Sequence, residues 1–432
     1  MSSATALSQQ EERLRVLMLA TFFPKPSNRL MGTWALAPAK ALLRNGVDIT
    51  VVSPTSWVPR PIVRAPGLSR LRAWADTPAV HDWDGLRAEY PRWLWYAHTV
   101  GGAGRLARRR PLPQLVLGWH SVRRALERAI DAHRPDLLYA HHASISGYLA
   151  LQLHRSTGVP YVVIEHDHGE IADCARYPAR RRLYQEVIGS AAGVITVASP
   201  MREALTGLFP DAPVHVVHNA ADLPGPSLRE TPRPSALEGK VVVFTAAHLY
   251  YRKGVPLLID AFARIASRHP DAVLRIVGDG EDRGAVTAAA ARAGLGDRIQ
   301  LLGRTQHEQV LQEMAWADVF ALVGWDEPHA IAHMEAMASG LPVLCADDGG
   351  IMDIFEDGTH GYAVRPHDTE AAAAGLDRLL SDAPGRERMG AQARALVEES
   401  HTWDAHALRL MEVFETALGR GAATRAGGAP TR

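Results

Sequence analysis

Residues 318–345 read DVFALVGWDEPHAIAHMEAMASGLPVLC and predict a strand, a helix and a second strand in succession. The apolar runs within 318–323 and 341–345 are short and continuous, which is typical of strands buried in a parallel sheet. Helical spacing covers 328–339, where Pro328 suits the first turn and Gly340 suits the position just after the last turn. This β–α–β unit is the building block of a doubly wound sheet.

The same alternation of strands and helices continues upstream of this unit. Towards the N-terminus it first predicts strands at 240–245, 272–277 and 298–302 and helices at 255–268, 283–293 and 307–316. Further upstream it predicts a helix at 33–45 and strands at 15–20, 47–52, 136–140, 160–164, 193–197 and 214–218. The sequence therefore predicts an α/β protein of two tandem Rossmann-like domains with parallel sheets.

Four prolines lie in residues 223–239, which indicates a linker between the two domains. The predicted boundaries are 14–222 for the N-terminal domain and 240–402 for the C-terminal domain. A helix at 403–417 follows, and we expect it to cross back to the N-terminal domain. Residues 418–432 are rich in Gly, Ala and Thr and are expected to be a disordered tail.

Composition excludes several classes of protein. The chain has 432 residues, of which 47% are apolar and 22% charged, as in folded rather than disordered proteins. Two cysteines, Cys174 and Cys345, are too few for a disulfide framework, a zinc ribbon or an iron–sulfur site. The polar start and the lack of a run of about 18 apolar residues predict no signal peptide and no membrane span. We expect a cytoplasmic protein.

Charge is distributed unevenly along a chain whose net charge is zero. Residues 1–222 hold 26 Lys and Arg against 18 Asp and Glu, whereas residues 223–432 hold 21 against 29. A basic half can attract an anionic substrate or surface. Nucleic acid is not an expected partner, because no nucleic-acid motif is present. Lys is rare beside Arg, which draws attention to Lys253.

Residues 82–124 combine aromatic and basic side chains. The aromatic ones are Trp83, Tyr90, Trp93, Trp95, Tyr96 and Trp119, and the basic run is Arg105, Arg108, Arg109 and Arg110. One interpretation is an insertion packed on the sheet with a solvated basic edge. The other is an acceptor or membrane-surface patch, with aromatic rings at the headgroup level and arginines on phosphates. The sequence leaves both open and suggests peripheral contact with an anionic membrane through 83–124.

Two carboxylates, Glu327 and Glu335, are eight residues apart in the 318–345 stretch. Eight residues are slightly more than two helical turns, so both side chains can face the same cleft. A helix N-terminus there would offer N–H groups and partial positive charge to a phosphate. A carboxylate further along the helix could hold the two hydroxyls of a ribose.

The segment around these carboxylates resembles the E-x7-E signature of the family 4 glycosyltransferases, retaining enzymes of the GT-B fold. Further matching motifs in the C-terminal half are His248-Leu-Tyr-Tyr-Arg252-Lys253-Gly254, Val277-Gly278-Asp-Gly280 and Gly349-Gly350-Ile-Met-Asp353. In the N-terminal half the matches are looser: Gly32-Thr33, Glu165-His166-Asp167 and Asn219-Ala-Ala-Asp222. The resemblance implies two domains facing across a cleft, a nucleoside-diphosphate sugar as donor and an acceptor hydroxyl.

The resemblance also implies roles for individual residues. The catalytic group comprises Glu327 near the donor sugar, His166 approaching that sugar from the N-terminal domain, and Lys253 on the diphosphate. The donor-binding group comprises Glu335 on the ribose, together with His248, Arg252, Gly32, His329, Ala330, Ile331, Gly349 and Gly350. His248 stands where the family has Arg, and His329-Ala330 after Pro328 stands where many relatives have Phe-Gly. The expected reaction is transfer with retention, favouring a UDP-sugar, without a metal or other cofactor.

Three other motifs favour different chemistry only weakly. His141-His142 and His166-Asp-His168 lack the usual ligand spacing of metal sites. Asp82-Trp-Asp84 imitates the D-x-D of metal-dependent glycosyltransferases but is not at a predicted strand end of a nucleotide domain. The glycines at 278–284 miss the dinucleotide-binding pattern by one residue. Alternative functions are a catalytically degenerate GT-B protein that binds nucleotide sugar, and a sugar-nucleotide hydrolase or epimerase. The acceptor, a glycan, a lipid-linked precursor or a natural product, is not specified.

Overall fold

A computed structural model describes residues 13–29, 31–61, 63, 71–94, 109–225, 228 and 230–420. The chain divides into two units. Unit 1 comprises residues 1–196, 204–215 and 407–432, and unit 2 comprises residues 197–203 and 216–406. The predicted tail at 418–432 lies outside the described residues from 421 onward.

Unit 1 is built on strand β1 (Arg15–Ala20), whose Leu17, Met18 and Leu19 are fully buried. Burying each such side chain contributes about 1.5–3 kcal/mol. The burial of β1 agrees with its position inside the sheet, between β7 and β2. The other strands are β2 (Asp48–Val52), β3 (Thr55–Ser56), β4 (Val80–Trp83), β5 (Leu86–Glu89), β6 (Arg92–Trp93), β7 (Leu137–His141), β8 (Tyr161–Glu165), β9 (Gly193–Thr196) and β10 (Val214–Val216). The helices are α1 (Thr33–Arg44), α2 (Arg72–Ala75), α3 (Leu112–His133), α4 (Tyr148–Thr157), α5 (His168–Arg176), α6 (Pro178–Gly189) and α7 (Ser199–Leu208), which spans the boundary with unit 2.

The main sheet of unit 1 has eight strands in the order β10-β9-β8-β7-β1-β2-β5-β4 among the described residues. The chain reverses its direction of winding between β1 and β7, which pair in parallel. Ligands of doubly wound folds bind beyond the carboxyl ends of the strands at such a point. Gly32 follows β1 and His166 follows β8, so both predicted residues lie at this end of the sheet.

Unit 2 contains a parallel sheet in the order β13-β12-β11-β14-β15-β16. The strands are β11 (Val241–Ala246), β12 (Ala272–Val277), β13 (Ile299–Gly303), β14 (Val319–Leu322), β15 (Val343–Ala346) and β16 (Gly361–Val364). The helices are α8 (Val255–Ile265), α9 (Arg283–Ala293), α10 (His307–Trp316), α11 (Ile331–Ala338), α12 (Thr369–Ser381) and α13 (Ala383–Ser400). Helix α14 (Trp403–Ala417) follows, and its residues from 407 onward belong to unit 1. Apolar clusters cover both faces of the sheet. The winding reverses between β11 and β14, which places the loops after these strands together.

Two doubly wound Rossmann-like units confirm the predicted fold class. The predicted helix at 328–339 was wrong at its start, because α11 begins at Ile331. Pro328 is therefore not in its first turn, and Glu335 is about one turn inside the helix rather than two. Gly340 does occupy the position after the helix with a φ of 82°, as predicted.

The aromatic insertion packs on unit 1. Trp83, Tyr90, Trp93 and Trp119 are all buried, and Trp83 donates its indole N–H to the Tyr90 hydroxyl at 2.9 Å. These four rings do not form a surface patch, so the expectation of aromatic side chains at a headgroup level was wrong for them. Trp95, Tyr96, Arg105 and Arg108 lie outside the described residues. In the Asp82-Trp-Asp84 motif, Asp82 and Trp83 end β4 and Asp84 lies in the turn to β5, where it pairs with Lys40 at 2.5 Å.

Candidate active site

Lys253 and Glu327 form the centre of the site in unit 2. Lys253 ends the short turn after β11, and Glu327 lies in the loop after β14. Their side chains meet at 2.6 Å between Nζ and Oε2, with 15% and 4% of the two side chains exposed. The second oxygen of Glu327, Oε1, is buried and has no hydrogen-bond partner among the described residues. A buried acceptor of this kind is costly unless a ligand completes it.

Glycines bring these two loops into contact. A Cβ on Gly254 would lie 2.7 Å from the carbonyl oxygen of Val323, and one on Gly324 would lie 2.7 Å from that of Arg252. The Trp325 N–H also donates to the Arg252 carbonyl at 3.0 Å. Backbone approach this close needs residues without side chains. The pairing of Lys253 with Glu327 is thus set by the packing of the loops.

Gly349 and Gly350 lie directly against the Glu327 loop. The Gly350 N–H donates to the Glu327 carbonyl at 2.8 Å, and a Cβ on Gly350 would lie 1.6 Å from the Pro328 carbonyl oxygen. These contacts hold Pro328 outside the helix and explain why α11 starts late. The next residues are His329, Ala330 as its N-cap, and Ile331, and no side chain among the described residues caps the helix.

Glu335 lies on α11, with 15% of its side chain exposed, and contacts a residue that sequence reasoning missed. His307, the first residue of α10, places Nε2 2.7 Å from Oε1 of Glu335. That hydrogen bond raises the pKa of His307 above its ordinary value. The two residues are 28 apart in sequence and belong to different β–α units, so no local spacing indicated the contact.

The two other cationic candidates of unit 2 differ in their surroundings. His248 is half-exposed and pairs with Glu281 at 3.3 Å, so its imidazole is drawn towards a surface carboxylate. Arg252 donates to the Tyr250 hydroxyl at 3.1 Å, and the Lys253 ammonium lies 5.5 Å from the centre of the same ring. Tyr250 therefore borders the cationic groups after β11.

The side chain of His329 points into the interior of unit 2. It stacks on His218 at 5.4 Å, and neither ring nitrogen has a partner among the described residues. Burial first, and then the neighbouring imidazoles, hold the pKa of His329 well below its ordinary value, so the ring is neutral. Its backbone carbonyl accepts a hydrogen bond from Asn219 at 2.8 Å. Only the backbone of this residue remains suited to donor contact.

In unit 1, His166 belongs to a buried polar cluster. Its Nε2 lies 3.1 Å from Nδ1 of His141, and the two rings stack at 5.0 Å. Glu165, fully buried, accepts from the backbone N–H groups of His166 and Asp167 at 2.9 and 3.1 Å and contacts Nδ1 of His142 at 3.1 Å. Although burial alone raises the pKa of Glu165, the hydrogen bond from His142 brings it below its ordinary value. Glu165 thus orients the His166 loop, a role the sequence did not indicate.

Gly32 caps α1 with a φ of 82°, and a Cβ there would lie 2.5 Å from the Phe22 carbonyl oxygen. This close return of the chain after β1 requires glycine. Phe22 in turn contacts the His142 ring edge-on at 5.5 Å. The loops after β1, β7 and β8 therefore converge at the carboxyl end of the sheet in unit 1.

Two family descriptions match the chain. "Glycosyltransferase Family 4" matches residues 31–224, and "Glycosyl transferases group 1" matches residues 229–396. Together they cover most of both units. The chain belongs to the family 4, group 1 glycosyltransferases.

Relatives of the chain agree with that placement. An uncharacterized glycosyltransferase of Methanocaldococcus jannaschii is 30% identical over 52% of the chain and 60% of its own length. A D-inositol 3-phosphate glycosyltransferase of Corynebacterium diphtheriae is 28% identical over 65% of the chain and 70% of its own length. The chain thus spans less than two thirds of the first of these relatives.

The fold of the chain is also that of a solved protein. The Anabaena protein HepE in complex with UDP and glucose superimposes with a TM-score of 0.67 at 19% identity, covering 94% of this chain and all of that one. At this identity the likeness concerns the fold.

The part of the chain that the structure describes has neither a metal-binding cluster nor a membrane-spanning helix. It contains no group of three or more His, Cys, Asp or Glu arranged to hold a metal ion. None of its helices combines the length and the hydropathy needed to cross a bilayer. Metal independence and cytoplasmic location stay predictions.

Proposed function

We propose that the chain transfers a sugar from a nucleoside diphosphate, favouring UDP, to an acceptor hydroxyl with retention of anomeric configuration. The observation that carries this proposal is the Lys253–Glu327 pair between β11 and β14, with one oxygen of Glu327 still lacking a partner among the described residues. A donor that places its diphosphate on Lys253 and a sugar hydroxyl on Glu327 would satisfy both groups. The complex of HepE with UDP and glucose supports the choice of a UDP-sugar.

The groups of unit 2 suit departure of a nucleoside diphosphate. Cleavage of the anomeric C–O bond leaves negative charge on the diphosphate and an oxocarbenium-like sugar. Lys253 and the uncapped N-terminus of α11 would stabilise the leaving group as its charge develops. Glu335 would hold the ribose, with His307 orienting its carboxylate. Because these cations are fixed, the proposed chemistry proceeds without a metal.

In unit 1, His166 is the proposed residue near the donor sugar. Glu165 fixes the backbone of its loop and His141 fixes its ring. None of the described residues in the proposed roles is an evident covalent nucleophile, so retention would follow from attack on the same face as departure. The reaction then needs only orientation and charge stabilisation from the protein.

The acceptor would be a glycan, a lipid-linked precursor or a natural product. Peripheral contact of residues 83–124 with an anionic membrane would involve exposed residues of this segment rather than its buried aromatic rings. Leu112 and Leu117 on α3 are about half-exposed, at 51% and 53%, and follow Arg109 and Arg110 in sequence. Exposed leucines next to arginines suit the boundary of a lipid surface.

The test is turnover of Glu327→Gln with UDP-, GDP-, ADP- and CDP-sugars, alongside Glu387→Gln, an exposed carboxylate on α13. We expect Glu327→Gln to lose about a hundredfold to a thousandfold in kcat while it still binds nucleotide. Proton NMR of the product should show the donor's anomeric configuration.

Unchanged turnover in Glu327→Gln would refute the role of this carboxylate. Free sugar or an epimer formed without acceptor would favour the hydrolase or epimerase alternative. Nucleotide binding without transfer to any acceptor would favour a degenerate protein.

A further inference from the structure

Unit 1 contains a pocket of about 510 Å³ outside the candidate active site. Two stretches of chain line it: the residues just before α3 and the junction of α5 with α6. The side chains that give the pocket its character are Arg109, Arg110, Arg176, Tyr177 and Arg182. No Asp or Glu belongs to its lining in the described part of the chain.

The arginines of this pocket differ from those beside it. Arg180 points inward and pairs with Glu170, and Arg181 donates to the Leu208 carbonyl at 3.3 Å. Arg109, Arg110 and Arg182 are exposed, and none of them forms an ion pair with a described carboxylate. Glu170 therefore neutralises the Arg180 guanidinium, whereas the three exposed guanidinium groups remain available to an external anion.

Two local features add to the positive character of the pocket. The Arg176 guanidinium lies 5.5 Å from the centre of the Tyr177 ring, which limits its orientations. Pro178 begins α6, a helix of 12 residues, so the partial positive charge of a helix N-terminus also lies at the pocket. Guanidinium groups grouped in this way match the oxygen atoms of a phosphate by bidentate hydrogen bonds.

We infer that this pocket binds a phosphate-bearing ligand. If the proposed function holds, the phosphate belongs to the acceptor, because the pocket lies in the unit that carries His166 and not in the unit that carries Glu335. Helix α5 connects the two places: it runs from His168, next to the His166 loop, to Arg176 at the pocket, a rise of about 12 Å. An extended acceptor could place its phosphate on the arginines and its hydroxyl near His166.

The phosphate could come from a soluble molecule or from a lipid headgroup, and one set of proteins tests both sources. The proteins are the full chain, the double variant Arg110→Gln/Arg182→Gln, and Arg128→Gln. Arg128 is an exposed arginine on α3 about 24 Å along the helix from Leu112, so it controls for loss of charge.

Binding of inorganic pyrophosphate is measured by calorimetry with UDP present in excess, so that the donor site is occupied. Binding to vesicles is measured by sedimentation with phosphatidylcholine alone and with added phosphatidylglycerol. A third arm compares UDP release from UDP-glucose with glucose and glucose 6-phosphate as acceptors.

We expect pyrophosphate, anionic vesicles or both to bind the wild-type chain and Arg128→Gln. The double variant should lose about tenfold in affinity for each guanidinium removed, with folding and UDP binding retained. Binding of pyrophosphate alone assigns a soluble ligand, and arginine-dependent binding of anionic vesicles assigns a lipid phosphate.

Absence of binding in both of these arms, or equal binding by the double variant, overturns the inference. Equal stimulation of UDP release by glucose and glucose 6-phosphate overturns the assignment of a soluble phosphate to the acceptor. A chain that binds pyrophosphate through these arginines but binds none of UDP, GDP, ADP and CDP would keep the pocket and refute the proposed function.

Discussion

Replacing Lys253 by Met should destabilise unit 2 well beyond the effect of losing a surface ion pair. The ammonium is the hydrogen-bond partner of Glu327 Oε2 at 2.6 Å, and only 4% of the Glu327 side chain is exposed. Removal of one partner of a buried pair costs about 3–5 kcal/mol, because the remaining charge is left without compensation. For a unit of about 200 residues, each kcal/mol lowers Tm by about 2–4 °C. We therefore expect Lys253→Met to lower the Tm of unit 2 by about 6–20 °C.

The assay is a double-mutant cycle by differential scanning calorimetry with Lys253→Met, Glu327→Gln and the double variant. Glu327→Gln should cost less, since 15% of the Lys253 side chain reaches solvent. The double variant should recover part of the loss from Lys253→Met, because it holds no buried charge. Lys240→Met, which removes a lysine whose nearest carboxylate oxygen is 3.8 Å away, is the matched control. Equal Tm values for Lys253→Met and Lys240→Met would refute the reasoning.

Three further predictions concern residues around this pair. Gly350→Ala should lower the free energy of unfolding by about 3 kcal/mol, because the new Cβ would meet the Pro328 carbonyl. Gly284→Ala, with open space around it, should leave the free energy of unfolding unchanged, and equal effects of the two substitutions in thermal unfolding would contradict this packing. His307→Ala should lower the free energy of unfolding by less than about 1 kcal/mol, since 47% of the His307 side chain is exposed. This loss relative to wild type should be complete below a pH of about 6.5 and should vanish as the pH rises through the raised pKa of His307, so a pH-independent loss would contradict the prediction. The Tm of His329→Phe relative to that of wild type should rise as the pH falls below about 6.5, because the lowered pKa of His329 keeps the folded ring neutral while the unfolded ring gains a proton. Parallel plots of Tm against pH for the two proteins would contradict this prediction.

Periodicity in the sequence was sufficient to predict most of the sheet. Strands β1 and β12 begin and end at the predicted residues, because apolar residues that become buried make up all of each strand except Arg15 in β1 and Arg275 in β12. Of the elements after β15, only the helix at 403–417 was predicted, and α14 spans those residues. The start of α11 was misplaced because a contact from Gly350 at 2.8 Å holds the Glu327 backbone outside the helix, and such tertiary contacts override local propensity.

The residues of the candidate site could be predicted from the sequence only where they belong to a recognisable motif. Lys253, Glu327 and Gly350 were singled out as separate residues, and the structure brings all three together. The partners of the Glu335 and His166 side chains were not foreseen, since His307 and His141 reach them from different loops. The burial of the insertion's aromatic rings was also undetermined, because a ring at the edge of a sheet and a ring on a surface patch have the same composition.

The most direct test of the donor site at residues 327–335 is a thermal-shift titration with UDP, GDP, ADP and CDP on the wild-type chain and on Glu335→Ala. A ligand that binds only the folded state stabilises that state by about 2.7 kcal/mol at one hundred times its Kd, and this stabilisation raises Tm. We predict a rise with one nucleotide, UDP first among them, that is lost in Glu335→Ala. A rise of the same size in both proteins, or no rise with any nucleotide, would contradict the account.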